Sequence, residues 1–239
     1  LNNDFKIFNF NFNKKYYYKN CFKILRNINL DHIDKNFILS GMNLAFLGYY
    51  SNHVVFPSKF LYHWPDGIFA SKIFKIKKIP GRDLINNLKL DKKIKIINVI
   101  GNITKRSKNY LDRKFKRKIN HIQLPYGSIS DLKNRSIKIK KNELTLITLP
   151  TPKQEQLANH LIKSNKYFKI ICIGGSIAIA SGEERKVPRF LNEYEFIWRL
   201  KTDPLRRIKR LIETLFFYIK GRYIVNSFDN LIFKIIEKK

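Results

Sequence analysis

The stretch LTLITLPTPKQEQLANHLIKSNKYFKIICIGG, residues 144–175, reads as a complete strand–helix–strand unit. Leu144 to Leu149 reads as a strand that stops at Pro150, because proline has no N–H to continue a ladder. Pro152 falls near the first position of a helix, where its fixed φ and missing donor are harmless, and the helix runs to about Ser164. Thr151 fits the N-cap and Glu155 falls near N4. Lys169 to Ile173 is a second apolar strand, ended by Gly174-Gly175.

The same alternation extends towards the N-terminus. Phe37 to Ser40 reads as a short buried strand and Asn43 to Tyr50 as a helix. Phe60 to Trp64 is a strand that ends at Pro65-Asp66-Gly67, and Ile94 to Ile100 is a strand that stops at Gly101, with a basic helix after it. Strands and helices alternating at this spacing predict an α/β fold, a doubly wound, mostly parallel, Rossmann-like sheet. Residues 1–34 are aromatic and rich in Asn and Lys, and no element is assigned there. After Pro188 the character changes: Glu195 to Leu200 and Leu205 to Lys220 read as helices. The expected organisation is an α/β core over 1–198 and a basic, amphipathic C-terminal appendage over 199–239.

With 44% hydrophobic and 14% aromatic residues, the chain has enough apolar side chain to fold, which excludes general disorder. The net charge of +30, from 48 basic against 18 acidic residues, points to nucleic acid, an anionic membrane surface or phosphorylated substrates. Much of it equally fits solvated lysines in a composition of the kind an A+T-rich genome favours. Arginine is more informative: of 13 in the chain, five (Arg199, Arg206, Arg207, Arg210 and Arg222) fall between 199 and 222. Guanidinium groups clustered against a lysine-rich background suit bidentate grip on phosphate. The two cysteines, Cys21 and Cys172, give neither a metal framework nor a disulfide scaffold. No run of 18 apolar residues occurs, so no spanning helix is expected. Lys and Asn interrupt the aromatics of residues 1–20, unlike a signal peptide.

In doubly wound sheets ligands bind beyond the carboxyl ends of the strands. Three motifs fall there. Pro65-Asp66-Gly67 puts a carboxylate at a strand end, where it can take a proton from an attacking hydroxyl, although the tripeptide is also a common turn. Thr151 to Glu155 opens a helix whose N–H groups and dipole favour phosphate; Lys153 adds charge, and the Gln154 amide can bond sugar hydroxyls. The alternative is an ordinary capped helix start. Gly174-Gly175 after a strand fits a nucleotide approach or a tight turn equally.

Six ordered blocks make the chain resemble the WecG/TagA/CpsF family of glycosyltransferases (glycosyltransferase family 26). They are Gly41-Met42-Asn43, where the family has Thr-x-Asn; Pro65-Asp66-Gly67-Ile68; Pro80-Gly81-Arg82-Asp83-Leu84; Pro152-Lys153-Gln154-Glu155; Gly174-Gly175 with Ser181-Gly182 and Val187-Pro188; and Glu195-Phe196-Ile197-Trp198-Arg199-Leu200 with Pro204-Leu205-Arg206. The resemblance implies an inverting, metal-independent transfer from a UDP-sugar, often UDP-N-acetylmannosamine or its uronic acid, to a polyprenyl-diphosphate-linked sugar acceptor, with no cofactor. It implies Asp66 as catalytic base. Asn43, Lys78, Lys153, Gln154, Glu155, Gly174 and Gly175 would bind substrate, and Arg199, Arg206, Lys209 and Arg210 would reach a diphosphate from the C-terminal appendage. The chain departs from the family at Gly41 in place of Thr, Lys78 in place of Arg, Pro150 in place of Gly and Ala178 in place of Asp.

Residues 199–222 carry eight basic and two acidic residues, interleaved with Leu205, Ile208, Leu211, Ile212, Leu215, Phe216 and Ile219 at spacings of three and four. Such a helix suits an anionic bilayer surface, and a helix docked on the core would show the same pattern. The expected placement is peripheral, at the inner face of the cell membrane, with homo-oligomers possible. Two further readings stand beside the enzyme: a basic nucleic-acid-binding protein, against which no recognition motif is found, and an impaired family member acting as a scaffold, motivated by Gly41.

Overall fold

The structure is a computed structural model. It describes residues 5–8, 22–25, 30, 36–43, 45–46, 49, 60–67, 71, 76–124, 127–184, 204–205, 208–209, 211–213, 215–216 and 231–236. Nine strands form one sheet: β1 Phe5–Phe8, β2 Phe22–Leu25, β3 Phe37–Met42, β4 Leu61–Pro65, β5 Ile96–Ile100, β6 Lys118–Ile122, β7 Glu143–Ile147, β8 Lys169–Cys172 and β9 Leu231–Ile236. Five helices are bounded: α1 Gly81–Asn87, α2 Lys105–Phe115, α3 Ile129–Lys133, α4 Lys153–Ser164 and α5 Ser176–Ala180. The strand order is β1-β9-β2-β4-β3-β8-β7-β5-β6. Among the described residues only β1 and β9 pair antiparallel; every other neighbouring pair is parallel. This is the doubly wound α/β sheet expected.

Its two faces are read from the alternation of side chains along the strands. Ile38, Met42, Leu61, Ile147, Ile170 and Cys172 pack with Leu132 of α3 and with Leu157, Ala158 and Leu161 of α4. Leu39, Tyr62, Trp64, Leu146, Ile171 and Ile173 pack on the other face, with Leu84 and Ile85 of α1, Leu111 and Phe115 of α2, and Ile177 and Ala180 of α5. Burial on both faces explains why Leu and Ile dominate β7 and β8, with Glu143 and Thr145 of β7 buried among them. α2 buries Ser107, Leu111 and Phe115, four residues apart, so one stripe meets the sheet. The Thr104 hydroxyl accepts from the Ser107 N–H to cap it, and Lys116 ends it in the left-handed region at φ 49°.

Three features differ from the sequence reading. The α4 N-cap is Pro152, without a side-chain cap, because the Thr151 hydroxyl donates instead to the buried Glu155 carboxylate at 3.2 Å. β6 was not expected: in Lys118-Ile119-Asn120-His121-Ile122 polar residues break the apolar signal at the sheet's edge. β9 comes from 231–236, inside the stretch read as an appendage, and pairs with β1 and β2. Residues 204–205, 208–209, 211–213 and 215–216 are helical, as the periodicity suggests, whereas Glu195 to Leu200 lie outside the described residues.

Leu146 is fully buried in the central strand β7. Leu146→Ala is expected to lower unfolding free energy by about 2–5 kcal/mol, through lost transfer energy and the cavity left behind. Urea denaturation of both chains measures it, and a loss below about 1 kcal/mol would show that the sheet does not pack as described.

Candidate active site

Because the strands run parallel, the ends of β4, β3, β8 and β7 lie side by side along one edge of the sheet. Asp66 follows β4, and its N–H donates to the Met42 carbonyl at the end of β3 (3.2 Å). Asn43, directly after β3, donates its Nδ2 to Asp66 Oδ2 at 3.3 Å. The Asn43 Oδ1 in turn accepts from the Phe46 N–H at 3.0 Å, which fixes the amide's orientation. The Ile79 N–H donates to the Pro65 carbonyl at 2.9 Å, and this bond brings half-buried Lys78 beside the same strand end. Gly67 has φ +86°, and among the described residues a Cβ there or on Gly175 would meet nothing within 4 Å. The backbone at the ends of β4 and β8 is thus open to close approach.

On the opposite face of that edge lies a buried polar network. Glu155 Oε1 accepts from the Ser40 hydroxyl (2.7 Å), the Gln154 amide (2.8 Å) and the Thr151 hydroxyl (3.2 Å). Gln154 Nε2 also donates to Thr151 Oγ1 at 3.0 Å, and Gln154 Oε1 accepts from the Gly174 N–H at 3.0 Å. Both ends of the Gln154 amide therefore serve the scaffold, tying the start of α4 to the turn after β8. The Gln154 backbone N–H donates to the Pro150 carbonyl at 3.3 Å, so it is not one of the free donors expected at the helix start. Burial raises the Glu155 pKa, and the donors from Ser40, Gln154 and Thr151 oppose that rise. Burial, with Glu155 nearby, also pushes the Cys172 thiol well up.

Beside this network, His63 of β4 is fully buried, with its Nδ1 facing the Ser40 carbonyl at 3.2 Å. A carbonyl can only accept, so Nδ1 carries the proton. Desolvation lowers the His63 pKa to about 3, against the opposing effect of that hydrogen bond. The Trp64 indole N–H is buried without a hydrogen-bond partner among the described residues.

The edge thus gathers Asn43, Asp66, Lys78, Gln154, Glu155, Gly174 and Gly175. Lys153 looks elsewhere: its Nζ donates to the Gly127 carbonyl at 2.8 Å. Lys209 is exposed on a helical residue, while Arg199, Arg206 and Arg210 lie outside the described residues. Ser40 and His63 escaped the sequence reading because single polar residues in apolar strands carry no periodic signal. A second cluster also went unseen: Glu183 accepts from Thr104 Oγ1 (2.6 Å) and Ser107 Oγ (2.8 Å) and ties the start of α2 to the turn after α5. Among the described residues, no group of three or more His, Cys, Asp or Glu is placed to hold a metal ion.

The Glycosyl transferase WecG/TagA/CpsF family model matches residues 68–227, which is 160 of the 239 residues. The chain belongs to that family. A search of curated proteins gives no match. Membership makes this WecG/TagA/CpsF protein a glycosyltransferase of cell-surface polysaccharide biosynthesis. The matched stretch covers Arg199, Arg206, Lys209 and Arg210 and starts two residues after Asp66.

A histidine buried in its neutral form makes folding sensitive to acid. Its folded pKa lies below its unfolded value of 6.5, so its contribution is complete above pH 6.5 and is lost as pH falls towards 3. His63→Phe is expected to flatten the decline of stability between pH 6.5 and 5, where the slope contributed by His63 rises from about 0.7 to about 1.3 kcal/mol per pH unit. Urea unfolding of both chains across that range measures it; equal slopes would mean that His63 titrates normally.

Proposed function

We propose that the chain transfers a sugar, N-acetylmannosamine or its uronic acid, from UDP to a polyprenyl-diphosphate-linked sugar, with inversion and without a metal ion. Asp66 is the general base. It removes the proton from the acceptor hydroxyl as that oxygen attacks the donor's anomeric carbon from the face opposite UDP. The new C–O bond forms as the bond to UDP breaks, UDP leaves with the electron pair, and the proton remains on Asp66. Asn43, Lys78, Gly174 and Gly175 contact the sugar and its phosphates, while Gln154 and Glu155 brace the neighbouring helix start and Lys153 is held by the Gly127 carbonyl. Arg199, Arg206, Lys209 and Arg210 neutralise diphosphate charge.

The observation that carries this reading is a carboxylate at the end of a parallel strand, bonded by Asn43 and next to Gly67, where a Cβ would meet nothing within 4 Å among the described residues. The chain also contains no Asp-x-Asp triplet of the kind that bridges a metal to a diphosphate. The test is UDP release from a UDP-sugar with a lipid-diphosphate acceptor. Asp66→Asn is expected to lower turnover by about 10²–10⁴-fold. The parent's rate is expected to survive EDTA. Undiminished transfer by Asp66→Asn removes Asp66 from the mechanism.

The enzyme works at the inner face of the cell membrane, where such an acceptor is held. No helix among the described residues is long and apolar enough to cross a membrane. Leu205, Ile208, Ile212, Leu215 and Phe216 are 40–83% exposed among the basic residues of this stretch, which suits a bilayer surface. Replacing Arg207, Lys220 and Arg222 together with Gln is expected to weaken binding to anionic vesicles by about a hundredfold, at about 1 kcal/mol for each charge. Sedimentation with phosphatidylglycerol vesicles measures this, and unchanged binding argues against a membrane role for the stretch.

A further inference from the structure

Gly41 stands opposite Trp64 in the β3–β4 ladder, on the sheet face that carries Asp66. Its backbone does not need a glycine, since it is not among the residues with positive φ. The missing side chain matters instead. A Cβ on Gly41 would lie 3.0 Å from Asp66 Cβ, 3.1 Å from Asp66 Oδ2 and 3.2 Å from Trp64 Cζ2. Comfortable carbon contacts begin at about 3.5 Å, so at least one neighbour would have to move. Trp64 is buried at 2% exposure, in the cluster with α1 and α5, and is locked by its packing. Asp66 is only partly buried, at the end of its strand, and is the group that gives way. Asn43 donates to the same Asp66 Oδ2 at 3.3 Å, with its own orientation set by the Phe46 N–H.

We propose that Gly41 is a positioning residue: its bare backbone is the seat of the Asp66 carboxylate, to which Asn43 also donates. The glycine is then not a lesion at the family's threonine position. A threonine there would push Asp66 out of line in this chain, where Asn43 donates to the same carboxylate. The proposal rests on the reading of Asp66 as the base.

The test compares Gly41→Ala and Gly41→Thr with the parent in the full chain, using the UDP-sugar and lipid-diphosphate acceptor that the parent accepts. The expected loss in kcat is about tenfold for Ala and about a hundredfold for Thr, as small misplacements of a reacting group produce. KM for the UDP-sugar should stay within about threefold, because ground-state binding is not what the seat controls. Thermal unfolding of each variant separates a displaced carboxylate from a lost fold. A Thr variant that equals or exceeds the parent's kcat overturns the proposal, as does a loss expressed only in KM. If the parent itself transfers no sugar to any lipid-diphosphate acceptor, the functional reading fails, and the seat is tested without turnover. The ¹³C titration of the Asp66 carboxyl should then rise by about half a pH unit or more in Gly41→Ala, as the group leaves its Asn43 donor and is covered by a methyl. An unchanged midpoint overturns the proposal.

Discussion

The parallel register of β3 between β4 and β8 is the constraint on which the rest depends. It sets Gly41 against Trp64 and Ser40 against both His63 and Cys172. Side chains alternate along a strand, so a slip of one residue would exchange the two faces. In the observed register Gly41 faces Asp66, and the Ser40 hydroxyl reaches Glu155 on the opposite side. The apolar residues that flank them, Ile38 and Met42 on one face and Phe37 and Leu39 on the other, hold this choice in place because each set packs into its own cluster.

Two polar constructions with opposite physical character meet at this edge. On one face Asp66 is only partly buried and accepts a hydrogen bond from the Asn43 amide. On the other, Glu155 is withdrawn from water and surrounded by donors. Burial there disfavours the charge, and the hydrogen bonds to Oε1 oppose that penalty, while Oε2 has no hydrogen-bond partner among the described residues. The Gln154 amide connects the buried side to the Gly174 turn. The order of that turn, and with it the open backbone at Gly175, therefore depends on groups inside the protein.

Family membership and geometry support different parts of the functional reading. Membership rests on residues 68–227 and makes the chain a glycosyltransferase. Asn43 and Asp66 precede that stretch, and the case for their chemistry is made by position, at the ends of adjacent parallel strands, and by the hydrogen bond between them. Gly41 belongs with them, since the space it leaves is filled by the carboxylate side chain.

Much of the core and part of its edge were readable in the amino acids. Runs such as Leu144 to Leu149 and Lys169 to Ile173 announce buried parallel strands because both faces must be apolar, and Pro150 and Gly174-Gly175 mark their ends. The ordered blocks around Asp66, Gln154 and Gly174 were legible as local patterns. β6 was not, because an edge strand needs no continuous apolar run, and β9 was not, because it is recruited across the whole chain to pair with β1 and β2. The direction of each polar side chain also lay beyond local pattern. Gln154 reads equally well as a sugar ligand or as an internal brace, and only the folded chain brings the Gly174 N–H to its oxygen. Composition and periodicity act over a few residues and so determine which segments become strands and helices. The partners of Ser40, His63, Gln154 and Asp66 come from segments up to 115 residues away, and packing of the whole sheet decides them.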